Sequence, residues 1–271
     1  MNERTQRMKI TKIIALTLAL VMMALPLAAC KGETEKKSDL EYIKDKGTLV
    51  IGMTEYKPMN FLDENDQWTG FDTEFAYLAG ALLGVEVEFV EIDWDNKWSF
   101  LEAKDIDCVW NGMTLTDEAK ENALCTDTYV LNAQVVVTKA ENADKYKDAK
   151  SLKDASVAVE SGSAGMSAAE AAELTVVEYT YQSDALMAVE SGKADACIID
   201  VTMANAMTGE GTSYEKLTTT FSLTEEEYAI ACREESDLCE KLNEIMADLI
   251  EDGTLRELAK KYELTLVADK K

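Results

Sequence analysis

The sequence contains no histidine, which excludes several common kinds of catalytic and metal site. Neither a Ser-His-Asp or Cys-His nucleophile nor a histidine-ligated zinc site can be built without an imidazole. The six cysteines form no Cys-x-x-Cys pair, and Cys108, Cys197 and Cys232 lie within apolar runs typical of strands. Cysteine in such a run usually packs as a small hydrophobic residue, so we predict neither a disulfide nor a metal site.

Basic residues are also scarce, because 27 lysines and arginines stand against 52 aspartates and glutamates. The formal net charge of −25 repels the phosphates of nucleic acids and the headgroups of anionic lipids. We therefore predict that nucleic acid is not a partner of this chain.

The amino-terminal segment has the pattern of a secretory signal. Four basic residues precede an apolar run at 13–25, and Ala28 and Ala29 come directly before Cys30. The run is short for a membrane span of about 20 residues. The pattern resembles the lipobox of bacterial lipoproteins, in which the chain is cut before an acylated cysteine. We predict a signal peptide at 1–29, lipidation of Cys30, and a location on the extracytoplasmic face of the cell membrane, with the lipid as the only anchor.

Beyond the signal, the sequence predicts an α/β fold. Residues 30–39 are mostly polar and are predicted to form a flexible tether. A buried strand at 49–52, a helix from Phe71 to Leu82 and a strand at 85–89 then follow one another. This β-α-β order indicates parallel sheets covered by helices.

Two segments, 101–111 and 189–200, share one design: a helix end, a turn, an aspartate and a short apolar strand closed by a polar residue. Those closing residues are Asn111 and Asp200. Open α/β sheets bind ligands at the carboxyl ends of their strands, so we expect two lobes with facing polar strand ends. Residues 161–165 open a further helix, either as an anion-binding helix start or as an ordinary cap.

One apparent metal motif is weak. Residues 63–74 have acidic and amide side chains at calcium-loop spacing, but Trp68 stands where the loop needs glycine. The stretch around Asn65 and Asp66 is better interpreted as a hairpin turn before a helix.

A set of motifs in a fixed order covers nearly all of the chain after the signal. They are Gly47–Gly52, Tyr56–Pro58, Thr69–Asp72, Asp107–Thr116, Thr126–Tyr129, Gly192–Asp195 and Asp252–Tyr262. Together they resemble family 3 of the bacterial extracellular solute-binding proteins, which serve ABC importers of polar amino acids.

The resemblance implies a two-lobed, periplasmic-binding-protein-like fold with two doubly wound sheets joined by two hinge strands. Lobe 1 would comprise residues 40–129 and 228–271, the last few forming a tail, and lobe 2 would comprise 130–227. The crossings would lie near 130–132 and 225–227. The implied partners are a small amino acid or amine ligand and the permease subunits of an importer, with no cofactor and a monomeric chain.

The family's ligand positions can be transferred to this sequence. They fall on Tyr56, Trp94, Asn111, Gly112, Thr114, Ser163, Ala164 and Asp200. The two aromatic rings would sandwich a flat or cationic group, although Trp94 could instead only pack within its lobe. The turn at 111–114 would hydrogen-bond the amino acid, and residues 163 and 164 would face its carboxylate. Asp200 would hold the α-amino group, cap the helix that follows, or do both.

One position departs from the family pattern. The arginine that grips the α-carboxylate falls on Ala119, with Lys120 beside it. Lysine is a point charge and cannot reproduce the planar guanidinium fork. Either Lys120 and the backbone amides at 163–165 hold the carboxylate, or the ligand has none. An amine or a cationic amino acid would suit the two aromatic side chains and Asp200.

Three functions remain open, and a receptor that closes on its ligand is the first. An enzyme on the same scaffold is the second, since some relatives of this fold are dehydratases. Without histidine, however, only carboxylates, lysine, tyrosine or cysteine could act as acid or base, and no pair stands out. A ligand-sensing or adhesion lipoprotein is the third. We predict no catalytic residues, and the sequence leaves the particular ligand open.

Overall fold

The computed structural model describes residues 37–270. The predicted signal peptide, the predicted lipidation site Cys30 and most of the tether lie outside the described residues. The α-helices in this range are α1 (Asp39–Lys46), α2 (Phe71–Leu83), α3 (Lys97–Ala103), α4 (Asp117–Asn122), α5 (Ala164–Ala171), α6 (Gln182–Ser191), α7 (Val201–Met207), α8 (Asp237–Glu251) and α9 (Thr254–Lys261). Short 3-10 helices lie at Trp94–Asn96, Ala140–Asn142, Ala149–Leu152 and Val267–Asp269. None of the helices in residues 37–270 is long and apolar enough to cross a membrane.

The strands of the described range belong to two larger sheets and two short pairs. They are β1 (Thr48–Met53), β2 (Phe61–Leu62), β3 (Trp68–Thr69), β4 (Glu86–Glu91), β5 (Cys108–Val109), β6 (Leu124–Cys125), β7 (Val130–Asn132), β8 (Gln134–Lys139), β9 (Val157–Glu160), β10 (Val176–Tyr179), β11 (Ala196–Asp200), β12 (Leu217–Ser222), β13 (Glu226–Tyr228) and β14 (Ala231–Cys232).

The first sheet has the order β4-β1-β5-β14-β6. Strand β1 runs parallel to both β4 and β5, whereas β14 runs antiparallel to both β5 and β6. Successive side chains of a strand point to opposite faces. Leu49 and Ile51 accordingly pack in one hydrophobic cluster, whereas Val50 packs against another that contains Leu101 of α3. Both faces of the sheet are therefore covered. We call this sheet and its helices the first lobe.

The second sheet has the order β10-β9-β11-β8-β12, with β9 parallel to β10 and β11. Strand β8 runs antiparallel to both β11 and β12. Val157 and Val159 pack in one cluster and Ala158 in another, so this sheet is also covered on both faces. Such two-sided burial explains why β9 and β11 are nearly continuous apolar runs. We call this sheet and its helices the second lobe.

The chain passes between the two sheets along β7 and returns along β13. These strands pair antiparallel, with Val130 opposite Tyr228 and Asn132 opposite Glu226. The crossings predicted at 130–132 and 225–227 correspond to these strands in position. The exact lobe limits assigned from the sequence remain a prediction.

Several local predictions are confirmed. Helix α2 begins at Phe71, and Gly84 ends it with a left-handed φ of 77°. Strands β2 and β3 form the hairpin expected around Asn65, and the Asp63 carboxylate accepts the backbone N–H groups of Asn65 and Gln67 at 2.8 and 3.0 Å. Separately, residues 37–270 contain no group of three or more potential metal ligands, and the cysteines there are free thiols; the absence of a metal site and of a disulfide stays a prediction.

Candidate ligand-binding cleft

A cleft lies between the two lobes, where strand ends and helix starts meet. The first lobe contributes the loop after β1, the start of α3 and the turn after β5. The second contributes the ends of β9 and β11 and the starts of α5 and α6. The enclosed part of the cleft measures only about 30 Å³, so the two lobes lie close together here and the cleft has to open to admit a solute. All eight residues assigned from the sequence line it, and their ligand contacts remain a prediction.

Tyr56 reaches across the cleft from the first lobe. Its hydroxyl group hydrogen-bonds Thr202 of α7 in the second lobe and lies 2.5 Å from the hydroxyl of Tyr228 in β13. Burial raises the pKa of Tyr56 well above its ordinary value, so the phenol stays neutral. A Cβ atom at Gly112 would lie 2.7 Å from the Tyr56 ring, and Gly112 has a φ of +54°. The ring position therefore requires glycine there.

Asp72 supports the turn at Gly112 from inside the first lobe. Its carboxylate accepts the Gly112 N–H at 2.6 Å and the Tyr129 hydroxyl at 2.9 Å. Asp72 is fully buried, and this burial raises its pKa to about 7. Because Asp72 accepts the Gly112 N–H, a hydrogen bond between Gly112 and a ligand would use the Gly112 carbonyl.

Asn111 also has its partners within the first lobe. Its Oδ1 accepts the N–H and hydroxyl of Thr54, and its Nδ2 donates to the Thr54 carbonyl and to Asn60 Oδ1, all at 2.8–3.0 Å. The side chain therefore orders the loop that carries Tyr56. The nearby Thr114 hydroxyl donates to Glu226 Oε2 at 2.9 Å, which links the turn to β13.

Asp200 ends β11 and is buried among amide donors. Gln134 Nε2 donates to its Oδ1 at 2.8 Å and Gln182 Nε2 to its Oδ2 at 2.6 Å, while Asn132 Nδ2 also donates to Oδ1. Burial, and next the charge of Glu226, raise the pKa of Asp200 to about 6. Its side chain makes no capping hydrogen bond to α7, so the capping alternative is not realised.

A second buried acid, Glu160, was missed in the sequence. It ends β9 and lines the cleft, and its pKa is raised to about 8 by burial and then by the charge of Asp200. The sequence pattern that predicted Asn111 and Asp200, an apolar strand that ends on a polar residue, also applies to Glu160. Both acids therefore lie at the carboxyl edge of the second sheet.

Ser163 forms an ordinary helix cap. Its hydroxyl accepts the Met166 N–H at 3.1 Å and donates to the Glu160 carbonyl at 2.8 Å. Ala164 is the first residue of α5 and lines the cleft beside it. The cap is thus present, and anion binding at this helix start stays a prediction.

Trp94 packs within its lobe and also lines the cleft, and its contact with a ligand stays a prediction. It is 8% exposed and packs with Ile92, Leu101 and Val109, and it also lines the cleft. Packing in the lobe and contact with a ligand are therefore compatible for this side chain.

Lys97 is the second residue that the sequence did not reveal. Its side chain is buried at the start of α3, and its ammonium donates to the carbonyls of Trp94 at 3.2 Å and Gly162 at 3.0 Å. The latter bond joins the two lobes. Lys97 is the only basic residue among the described residues that line this cleft. No local pattern distinguishes it from a surface lysine at a helix start.

The position at which the family pattern has arginine, Ala119 here, also lies at the cleft. Ala119 is buried and lines it. Lys120, the next residue, is exposed and lies 3.3 Å from Asp117 Oδ1 on its own helix. Lys120 is not part of the cleft lining, which argues against the interpretation that it holds a carboxylate.

Two α/β lobes that are joined by two crossing strands and enclose a polar cleft define the class of two-lobed binding proteins that close on a small solute. Residues 49–265 match the family described as bacterial extracellular solute-binding proteins, family 3. The chain belongs to this family, whose members are extracellular solute-binding proteins.

Similar proteins share the fold over most of their length. The L-cystine-binding protein TcyJ of Escherichia coli (strain K12) is 29% identical over 227 residues, which cover 82% of this chain and 85% of that protein. An ancestral arginine-binding protein bound to arginine matches with a TM-score of 0.74 and 32% identity, over 80% of this chain and 98% of that one. The ancestral amino acid-binding protein AncCDT-1, a precursor of cyclohexadienyl dehydratase, matches with a TM-score of 0.76 and 33% identity. This match covers 83% of this chain and 99% of that one.

Proposed function

We propose that this chain captures a cationic amino acid or a related amine between its lobes and delivers it to an ABC importer. The observation that carries the proposal is Asp200, a buried carboxylate held by three side-chain amides at the edge of the cleft. A ligand ammonium would supply the opposite charge that this buried acid lacks among its amide partners. The relative named for L-cystine supports an amino acid as the ligand, and the similar protein bound to arginine supports a cationic one.

The charges of the cleft favour a positive ligand. Asp200 and Glu118 line it as acids, and Glu160, which its pKa of about 8 leaves largely neutral at pH 7, can ionise beside a cation. Lys97 is the basic residue of this lining. The Trp94 and Tyr56 rings add faces that attract cations. Arginine, bound by one similar protein, is therefore the first candidate to test, followed by lysine, ornithine and their decarboxylated amines.

The mechanism we propose is closure about β7 and β13. A ligand that touches both lobes binds the closed arrangement better than the open one and so increases its population. The hydrogen bond between Tyr56 and Thr202 and the bond from Lys97 to Gly162 are contacts between lobes that closure would form. Neither needs a chemical step, so we propose binding and not catalysis.

A lipid on Cys30 would hold the lobes near a permease through the short tether. Tethering raises the effective concentration of the loaded protein at its membrane partner without any new contact. The partner is accordingly an ABC permease at the extracytoplasmic face of the membrane.

The test is a thermal-shift screen of protein that lacks residues 1–29 against amino acids, amines and betaines. A true ligand at about 100 times its Kd should add about 2.7 kcal/mol to the free energy of unfolding. Calorimetry would then measure affinity, and mass spectrometry would show that the ligand leaves unchanged. A panel without any stabilising member contradicts the proposal, and turnover of the ligand would favour the enzyme.

A further inference from the structure

We infer that Lys97 supplies the positive charge for the ligand's carboxylate, in place of the arginine that is missing at position 119. The inference rests on the proposed function, because it assumes that an amino acid occupies the cleft. It assigns a specificity-determining role to a residue outside the ligand positions that the family pattern indicates.

The first support is where the lysine lies. Lys97 and Ala119 line the same cleft, and Ala119 packs in the hydrophobic cluster that contains Trp94. An alanine side chain leaves no positive charge at its own position. Helix α3 brings the ammonium of Lys97 into the cleft from a neighbouring element instead.

The second support is that the ammonium is fixed in place. It lies 5.1 Å from the centroid of the Trp94 ring and 5.0 Å from that of Trp98, so two aromatic faces contact it. Trp98 is itself held, because its Nε1 donates to Glu118 Oε1 at 2.6 Å. A cation held in this way has little conformational freedom left to lose when a ligand binds.

The third support is that the charge lacks a close counter-ion. Lys97 is only 4% exposed, and its two hydrogen bonds go to carbonyl oxygens. Within residues 37–270 it forms no ion pair, although Glu118, Glu160 and Asp95 are close enough to oppose the lowering of its pKa by burial. An ammonium has three N–H donors, so one remains for a ligand oxygen. A ligand carboxylate would stabilise this buried cation.

Lys97 could act in the opposite way, as a tethered ammonium that occupies the place of the ligand's own cationic group. The two roles predict opposite results when the charge is removed. A carboxylate anchor is needed for binding, whereas a tethered competitor hinders it. The aromatic faces alone are compatible with both roles. The experiment therefore has to compare ligands that have a carboxylate with ligands that lack it.

The experiment measures calorimetric affinities of L-arginine and its decarboxylated form agmatine, and of L-lysine and cadaverine, for protein lacking residues 1–29. Lys97→Met is compared with Lys120→Met, which removes an exposed lysine beside Ala119. We expect Lys97→Met to weaken binding of the amino acids about tenfold or more and to change binding of the amines less than twofold. Lys120→Met should change neither.

Two further variants guard against a folding defect. Lys97→Arg keeps the charge and should keep the preference for the amino acid, and Ala119→Arg added to Lys97→Met should restore it. Equal weakening of both ligand types, tighter binding, or no change in Lys97→Met would each overturn the inference. Wild-type protein that binds neither type contradicts the proposed function as well, whereas retained amino acid binding by Lys97→Met contradicts this inference alone.

Discussion

The two walls of the cleft have opposite chemistry. The first lobe presents the rings of Tyr56 and Trp94 and the ammonium of Lys97, while the second presents the carboxylates of Glu160 and Asp200. The polar side chains of the first wall are largely occupied within their own lobe, as the amide of Asn111 shows. The first wall therefore provides aromatic faces and one ammonium, and the second provides two buried carboxyl groups.

The two walls also differ in the cost of ionising their buried acids. Burial raises the pKa of both second-lobe acids, to about 6 for Asp200 and about 8 for Glu160, so their ionised forms are unfavourable there. A cationic ligand favours those ionised forms. The second lobe should accordingly select the cationic group of a ligand, while the first lobe supplies aromatic faces and the ammonium of Lys97.

The largest loss of ligand affinity is expected when the charge of Asp200 is removed. We expect Asp200→Asn to weaken binding of a cationic amino acid by about 1.5–3 kcal/mol, the value of a hydrogen bond to a charged group. Calorimetry measures the loss, and denaturation without ligand shows whether the fold persists. Asp154→Asn, an equal charge change on the exposed surface of the same lobe, is the control and should bind normally. Equal affinities for the two variants would refute the role of Asp200.

Contact between the walls is tested at Gly162. A Cβ atom there would lie 2.6 Å from Asp95 Oδ1 and 2.8 Å from Asp95 Cα, across the lobe boundary. We expect Gly162→Ala to hinder closure and reduce ligand affinity about tenfold, or roughly 1.4 kcal/mol. Gly211→Ala is matched, because Gly211 also has a positive φ but open space around it. If both variants lose affinity equally, backbone strain and not closure explains the effect.

The sequence predicted which residues line the cleft better than what they do. Strand ends such as Asn111 and Asp200 are marked by local pattern, because an apolar strand that stops on a polar residue places it at the sheet edge. The partners of Asn111 are Thr54 and Asn60, more than 50 residues away, so its role depends on tertiary structure.

Lys97 and Lys120 show the same limit of prediction from sequence, because their exposure depends on tertiary structure. Lys97 is buried because Gly162, 65 residues later, packs against it from the other lobe. Lys120 is exposed because one residue is about 100° of rotation around a helix, which carries its side chain away from the cleft that Ala119 lines. Neither outcome can be deduced from the type of residue or from its neighbours in the chain.

One buried acid in each lobe should make the free energy of unfolding depend on pH. The pKa is raised to about 7 for Asp72 in the first lobe and to about 8 for Glu160 in the second. Between its unfolded and folded pKa values, each acid binds more protons when folded. The free energy of unfolding should therefore fall as the pH rises from about 5 to 8, by at most about 1.4 kcal/mol per pH unit for each acid.

Asp72→Asn and Glu160→Gln should each flatten this decline by on the order of 1 kcal/mol across the range, measured by urea denaturation without ligand. Glu178→Gln, at an exposed position of β10, is the control and should leave the slope unchanged. A slope that neither Asp72→Asn nor Glu160→Gln alters would mean that both acids are ionised in the folded protein across this pH range.

The smallest effect is expected at the hydroxyl of Tyr56, which reaches from the first wall to Thr202 in the second lobe. Tyr56→Phe keeps the ring over Gly112 but removes the hydrogen bonds to Thr202 and Tyr228. A neutral hydrogen bond contributes about 0.5–1.5 kcal/mol, so affinity should fall roughly three- to tenfold by calorimetry. Tyr77→Phe removes an exposed hydroxyl of the same lobe and should have no effect. If Tyr56→Phe binds as tightly as the wild type, Tyr56 acts through the shape of its ring alone, and the lobes are held together by the ligand and by Lys97.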